Sequence, residues 1–124
     1  MTEKEFYDRI GGDYSDALNR LMRDSLIRKF VLKFRDDPNF AELKAALAGQ
    51  RWDEAFSAAH TLKGVALNLA FARLSAAMVA LTDSLRPQNR DALEPAAVET
   101  LFAAAEQEYE AVLAAIELLA GNNP

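Results

Sequence analysis

His60 is the only histidine in this chain of 124 residues, with Lys63 three positions on and Gly64 four positions on. They lie in the stretch WDEAFSAAHTLKGVALNL, residues 52–69. Read as a helix, each residue there turns roughly 100° from the last. Residues three and four apart are then neighbours, so Ser57, Lys63 and Gly64 surround the imidazole. An aqueous imidazole is a nucleophile and a proton carrier near neutral pH. A cation one turn away can neutralise charge growing on a bound anion such as a phosphoryl group. A mid-helix glycine costs about 1 kcal/mol relative to alanine, and one reason to accept that cost is room for a bulky reactant beside the ring. Nucleophile, cation and clearance together suit phosphorylation of the histidine.

The helix that must hold these groups has a clear inner face. Ala55, Ala59, Leu62 and Ala66 cluster on one side, flanked by Trp52, Phe56 and Leu69, which is the core stripe of an amphipathic helix. His60 falls about 120° from the middle of that stripe and is expected to face solvent. Leu67 lies on the His60 side, and Phe71 follows at the helix end. Both are candidates for an apolar docking patch, and both could instead touch a neighbouring helix. On these residues alone a second reading stays open. The chain could be a non-catalytic helical adaptor that binds a partner helix, with His60 incidental. A small enzyme using His60 as general base lacks a second convergent group.

The segment AHTLKGVALNLAFARL resembles the signature of the histidine-containing phosphotransfer (HPt) domains of two-component phosphorelays, approximately aHtLKGsaxnlGaxxL. Ala59, His60, Thr61, Leu62, Lys63, Gly64, Asn68, Leu69 and Leu74 match it. The second glycine of the pattern is Ala70 here, at the turn after the histidine helix. The resemblance implies that His60 is the phosphoacceptor, attacking through Nε2. Lys63 would balance the phosphate charge, and Gly64 would let the partner close over the ring. It implies a phosphoryl group taken from a receiver-domain aspartate and passed to another receiver. A sensor or hybrid histidine kinase would stand upstream. It also implies that Mg²⁺ comes from the receiver, with no cofactor in this chain.

Composition excludes other classes. With 14 basic and 19 acidic residues the net charge is −5, and no basic stripe exists to neutralise nucleic-acid phosphates. The absence of cysteine removes disulfides and thiolate metal sites, and a single histidine argues against zinc. No G-x-x-x-x-G-K-S/T loop or other glycine-rich nucleotide loop occurs, so neither ATP binding nor kinase activity is expected. The N-terminus, MTEKEFYDRIGG, is unlike a signal peptide, and no apolar run approaches the ~20 residues of a membrane span. A cytoplasmic protein is expected. The start at Met1 and the weak C-terminal tail favour a stand-alone protein over an excised domain, and a complete bundle with no obvious second apolar stripe is expected to be a monomer.

A chain of this length, rich in alanine and leucine and poor in proline and glycine, is expected to be one all-helical domain. A first helix spans 3–10, capped by Thr2 and ended by Gly11-Gly12. A second runs over 14–22. Asp37 and Pro38 open a short helix that Gly49 closes. Four longer segments, at about 24–36, 51–69, 71–86 and 94–120, are joined by short connections, which favours an up-down-up-down antiparallel four-helix bundle with the N-terminal helices as a cap. The pairs Glu3/Glu5 and Asp36/Asp37 sit near helix starts and a turn, where acidic side chains are commonplace, and are not read as an acid–base pair. Glu106, Glu108 and Glu110 read as a solvated face.

Overall fold

The computed structural model of the protein describes residues 1–121, and these contain helices and turns with no strand. Seven α-helices follow one another: α1 (Glu3–Ile10), α2 (Tyr14–Leu21), α3 (Asp24–Lys33), α4 (Asn39–Ala48), α5 (Trp52–Asn68), α6 (Ala72–Ser84) and α7 (Pro95–Leu119). Short 3₁₀ turns at Phe34–Asp36 and Pro87–Ala92 extend α3 and link α6 to α7. The tail expected beyond Gly121 lies outside the described residues.

Local chemistry explains most boundaries. Thr2 and Glu5 form a reciprocal capping box, with Thr2 Oγ1 accepting from the Glu5 amide and Glu5 Oε1 accepting from the Thr2 amide. Those hydrogen bonds hold the Glu5 carboxyl below its ordinary pKa. Gly11 takes the left-handed conformation that ends α1 (φ 66°). Asp37 accepts from the Asn39 amide at 2.8 Å and so caps α4. Pro95 is the first residue of α7. At the end of α4 the left-handed residue is Gln50 (φ 53°), one position after the expected Gly49 (φ −92°). The Arg51 amide then bonds back to the Ala46 carbonyl at 2.8 Å, closing a Schellman motif.

The stripes face inward as the periodicity requires. Ala55, Ala59, Leu62 and Ala66 of α5 are buried, and so are Leu74, Met78 and Leu81 of α6 and Val98, Ala105, Val112 and Ile116 of α7. The helix α5 lies between α4 and α6, and α6 packs on α7. Contact between α4 and α7 completes the ring: Phe40 stacks on Tyr109 (3.9 Å between centroids, 6° between planes) and on Phe102 (5.4 Å). The segment 24–36, expected beside α5, packs instead on α1 and α2. Its extension reaches α7 through Phe34 against Tyr109 (5.7 Å) and Arg35 with Glu117 (3.4 Å). The short helix α4, expected outside the four long segments, is the one beside α5. Its alternation of Phe40, Leu43 and Ala46 buries a face that the shorter length of α4 does not reveal.

Candidate functional site

His60 lies in the third turn of α5 and is exposed, as its place on the helical wheel requires. Lys63 and Gly64, one turn on, are half-buried, and Leu67, a further turn along, is 42% exposed. The three groups singled out by chemistry thus share one accessible strip of α5. Lys63 forms no ion pair or hydrogen bond among the described residues, so its ammonium is available to an incoming anion. A Cβ built on Gly64 would meet no atom within 4 Å. Nothing within the chain requires glycine there, so the space it leaves opens only outward.

The ring of Phe56, one turn before His60, lies offset beneath the imidazole with centroids 5.8 Å apart and planes at 22°. Phe56 flanks the core stripe in the sequence, and the i, i+4 spacing of the two rings is the signal that joins it to the histidine. Arg86, after the end of α6, sets its guanidinium 5.8 Å from the centre of the same Phe56 ring. Arg86 is itself held by Asp83 at 2.9 Å. Arg90 anchors this linker to the start of α5. It donates to the Leu85 carbonyl (2.9 Å), Asp53 Oδ1 (2.8 Å) and the Trp52 carbonyl (3.2 Å). Ser57 contributes its carbonyl, which accepts from Thr61 Oγ1 at 3.0 Å.

The end of α5 is fixed from the N-terminal side. Ala70 occupies the left-handed region (φ 58°). The Phe71 amide bonds to the Ala66 carbonyl at 2.9 Å and the Ala70 amide to the Leu67 carbonyl at 3.1 Å, so the helix closes in a Schellman motif despite the missing glycine. Tyr7 Oη donates to the Leu69 carbonyl at 2.7 Å, and the Asp13 amide donates to the Ala70 carbonyl at 2.9 Å. Gly12 allows that approach, because a Cβ there would come within 2.7 Å of the Tyr7 ring and 3.0 Å of the Ala70 carbonyl. Burial raises the Tyr7 pKa, which keeps the phenol a donor.

Of the two roles open to Phe71, the structure gives the internal one. It is fully buried, edge-on to Phe34 at 5.3 Å and tilted against Phe6 and Tyr7 at 5.8 and 5.9 Å. It belongs to the core that locks α1 and α3 to the α5–α6 turn. The exposed apolar groups near the strip are Leu67 and Phe30, the latter 38% exposed beside a groove lined by Leu21, Val65 and Leu69. Glu106 and Glu108 are also more than a solvated face. Glu106 pairs with Lys44 of α4 (3.1 Å) and Glu108 with Arg73 of α6 (3.9 Å), on opposite flanks of α7.

Among the described residues no group of histidine, cysteine or carboxylate side chains is placed to hold a metal ion. No described helix is long and apolar enough to cross a membrane. Comparison with curated proteins and with solved structures gives no match. The model of the Hpt domain family matches residues 26–117, a span that begins within α3 and takes in α4, α5 and α6 whole and most of α7. That match covers well over half of the chain and contains the exposed histidine strip, so the chain belongs to the Hpt domain family, the histidine phosphotransfer domains of two-component phosphorelays.

Proposed function

We propose that His60 is the phosphoacceptor, taking a phosphoryl group from an aspartyl phosphate of one receiver domain and passing it to the aspartate of another. The observation that carries this is the clearance at Gly64 beside an exposed imidazole and an unpaired lysine. Nε2 attacks phosphorus, the P–N bond forms, the P–O bond to the aspartate breaks, and the carboxylate leaves. The reverse sequence passes the group on. Such chemistry depends on positioning and on charge stabilisation. Lys63 offsets the negative charge that the phosphoryl oxygens bring to the strip. Mg²⁺ and the carboxylates that bind it belong to the receiver. Receivers and a sensor or hybrid histidine kinase are its partners, and the cytoplasm is its compartment. Leu67 and Phe30 give the strip an apolar border for docking.

The scaffold is an up-down-up-down antiparallel bundle of α4, α5, α6 and α7, capped by α1 to α3. The three-residue turns at either end of α5 and the α4–α7 stacking support that reading.

The test is transfer from a phosphorylated receiver, and from phosphoramidate, to the wild-type chain and to His60→Gln. Acid-labile, alkali-stable label on the wild type alone is the expected result. Label retained by His60→Gln would sink the assignment of the site to His60, and a wild type that no donor labels would favour the adaptor reading.

A further inference from the structure

We infer that Phe56 is a positioning residue for His60, holding the imidazole in one orientation through a stack that Arg86 completes. The inference rests on the reading of His60 as phosphoacceptor, and it adds a residue outside the His60, Lys63 and Gly64 set. An exposed histidine on a helix turns about two side-chain bonds, and a nucleophile that samples several rotamers spends part of its time with Nε2 aimed away from an incoming phosphorus. Ring separation of 5.8 Å at 22° falls within the range of favourable offset stacking, 4.5–7 Å.

Phe56 can serve this role because it is itself held. It is half-buried, flanking the α5 stripe, and the Arg86 guanidinium rests 5.8 Å from its ring. The link from α6 to α7 supplies that guanidinium. Asp83 fixes Arg86, and two Arg90 hydrogen bonds clamp the linker to Asp53 and Trp52, about one turn before Phe56, while a third ties it to the Leu85 carbonyl. Rigidity therefore passes from the linker through Arg86 and Phe56 to the catalytic ring.

The experiment compares wild type, Phe56→Leu and Phe56→Tyr. Three-bond couplings about the first side-chain torsion of His60, read by NMR on the unphosphorylated protein, report ring orientation without any partner. Phosphoramidate labelling reports reactivity without docking. Wild type and Phe56→Tyr should show one His60 rotamer, and Phe56→Leu should show averaged couplings. Labelling of Phe56→Leu should slow by about three- to tenfold, the loss expected from removing one ring stack. Phe56→Tyr should label at the wild-type rate. Leucine keeps an apolar group at the half-buried site, and far-ultraviolet circular dichroism checks that helicity is retained. A wild-type His60 already averaged over rotamers would overturn the inference before any variant is made. So would a Phe56→Leu protein with a single His60 rotamer or an undiminished labelling rate. Failure of the wild type to accept any label is a different outcome, because it refutes the phosphoacceptor reading and leaves the rotamer measurement standing.

Discussion

At Gly64 a helix accepts its least favourable ordinary residue in the middle of a turn-rich, alanine-rich segment, and no neighbouring atom forbids a side chain. Replacing it with alanine should therefore stabilise the free protein by about 0.5–1 kcal/mol, read as a raised urea midpoint with unchanged slope. Replacing it with phenylalanine should leave helicity and phosphoramidate labelling close to wild type while receiver-dependent transfer falls at least tenfold. A Gly64→Phe protein that accepts phosphoryl groups from a receiver at the normal rate would refute the clearance argument. The two variants separate intramolecular cost from intermolecular benefit, which a loss of activity alone does not.

Among elements, the close of α5 holds a non-glycine residue in a strained conformation. Ala70 holds a Cβ in the left-handed region, where an L-residue loses roughly 1–2 kcal/mol. Ala70 is only 5% exposed, and burial of one methyl group returns up to about 0.8 kcal/mol. Ala70→Gly should accordingly raise stability by about 0.5 kcal/mol, measured by chemical denaturation, without altering His60 labelling. A fall of 1 kcal/mol or more would show that the buried methyl outweighs the strain. The turn tolerates alanine because two carbonyls at the helix end receive donors from outside the helix. The Leu69 carbonyl takes the Tyr7 hydroxyl and the Ala70 carbonyl takes the Asp13 amide.

Across the whole molecule, Tyr7 ties residues 62 positions apart and joins α1, outside the matched family span, to the end of the histidine helix. Tyr7→Phe leaves the Leu69 carbonyl without that donor and should cost about 1–3 kcal/mol. Phosphoramidate labelling of His60 should persist, because the site strip lies elsewhere on α5. The pH dependence has a definite sign. Burial raises the folded-state pKa of Tyr7 above its ordinary 10.0, so the unfolded chain ionises first. The contribution of Tyr7 is fully present below pH 10 and is lost as pH rises above it. Denaturation of wild type between pH 9 and 11 should show that decline more steeply than Tyr7→Phe does. Equal slopes for the two proteins would refute the assignment.

Periodicity and breakers by themselves determined the helices, because amphipathic spacing and residues such as Gly11, Asp37 and Pro95 act locally. The same local geometry put His60, Lys63 and Gly64 on one accessible strip, since neighbours on a helix surface follow from spacing alone. What those rules do not contain is which helix meets which. The packing of α4 beside α5, the burial of Phe71 among Phe6, Tyr7 and Phe34, and the pairing of Glu106 and Glu108 with Lys44 and Arg73 each join distant segments. The approach of Arg86 to Phe56 is of that kind too, although the Phe56–His60 stack was within reach of the spacing. A stripe says only that a face must be covered. Shape and length of every other segment decide what covers it, and that is settled only when the chain is packed.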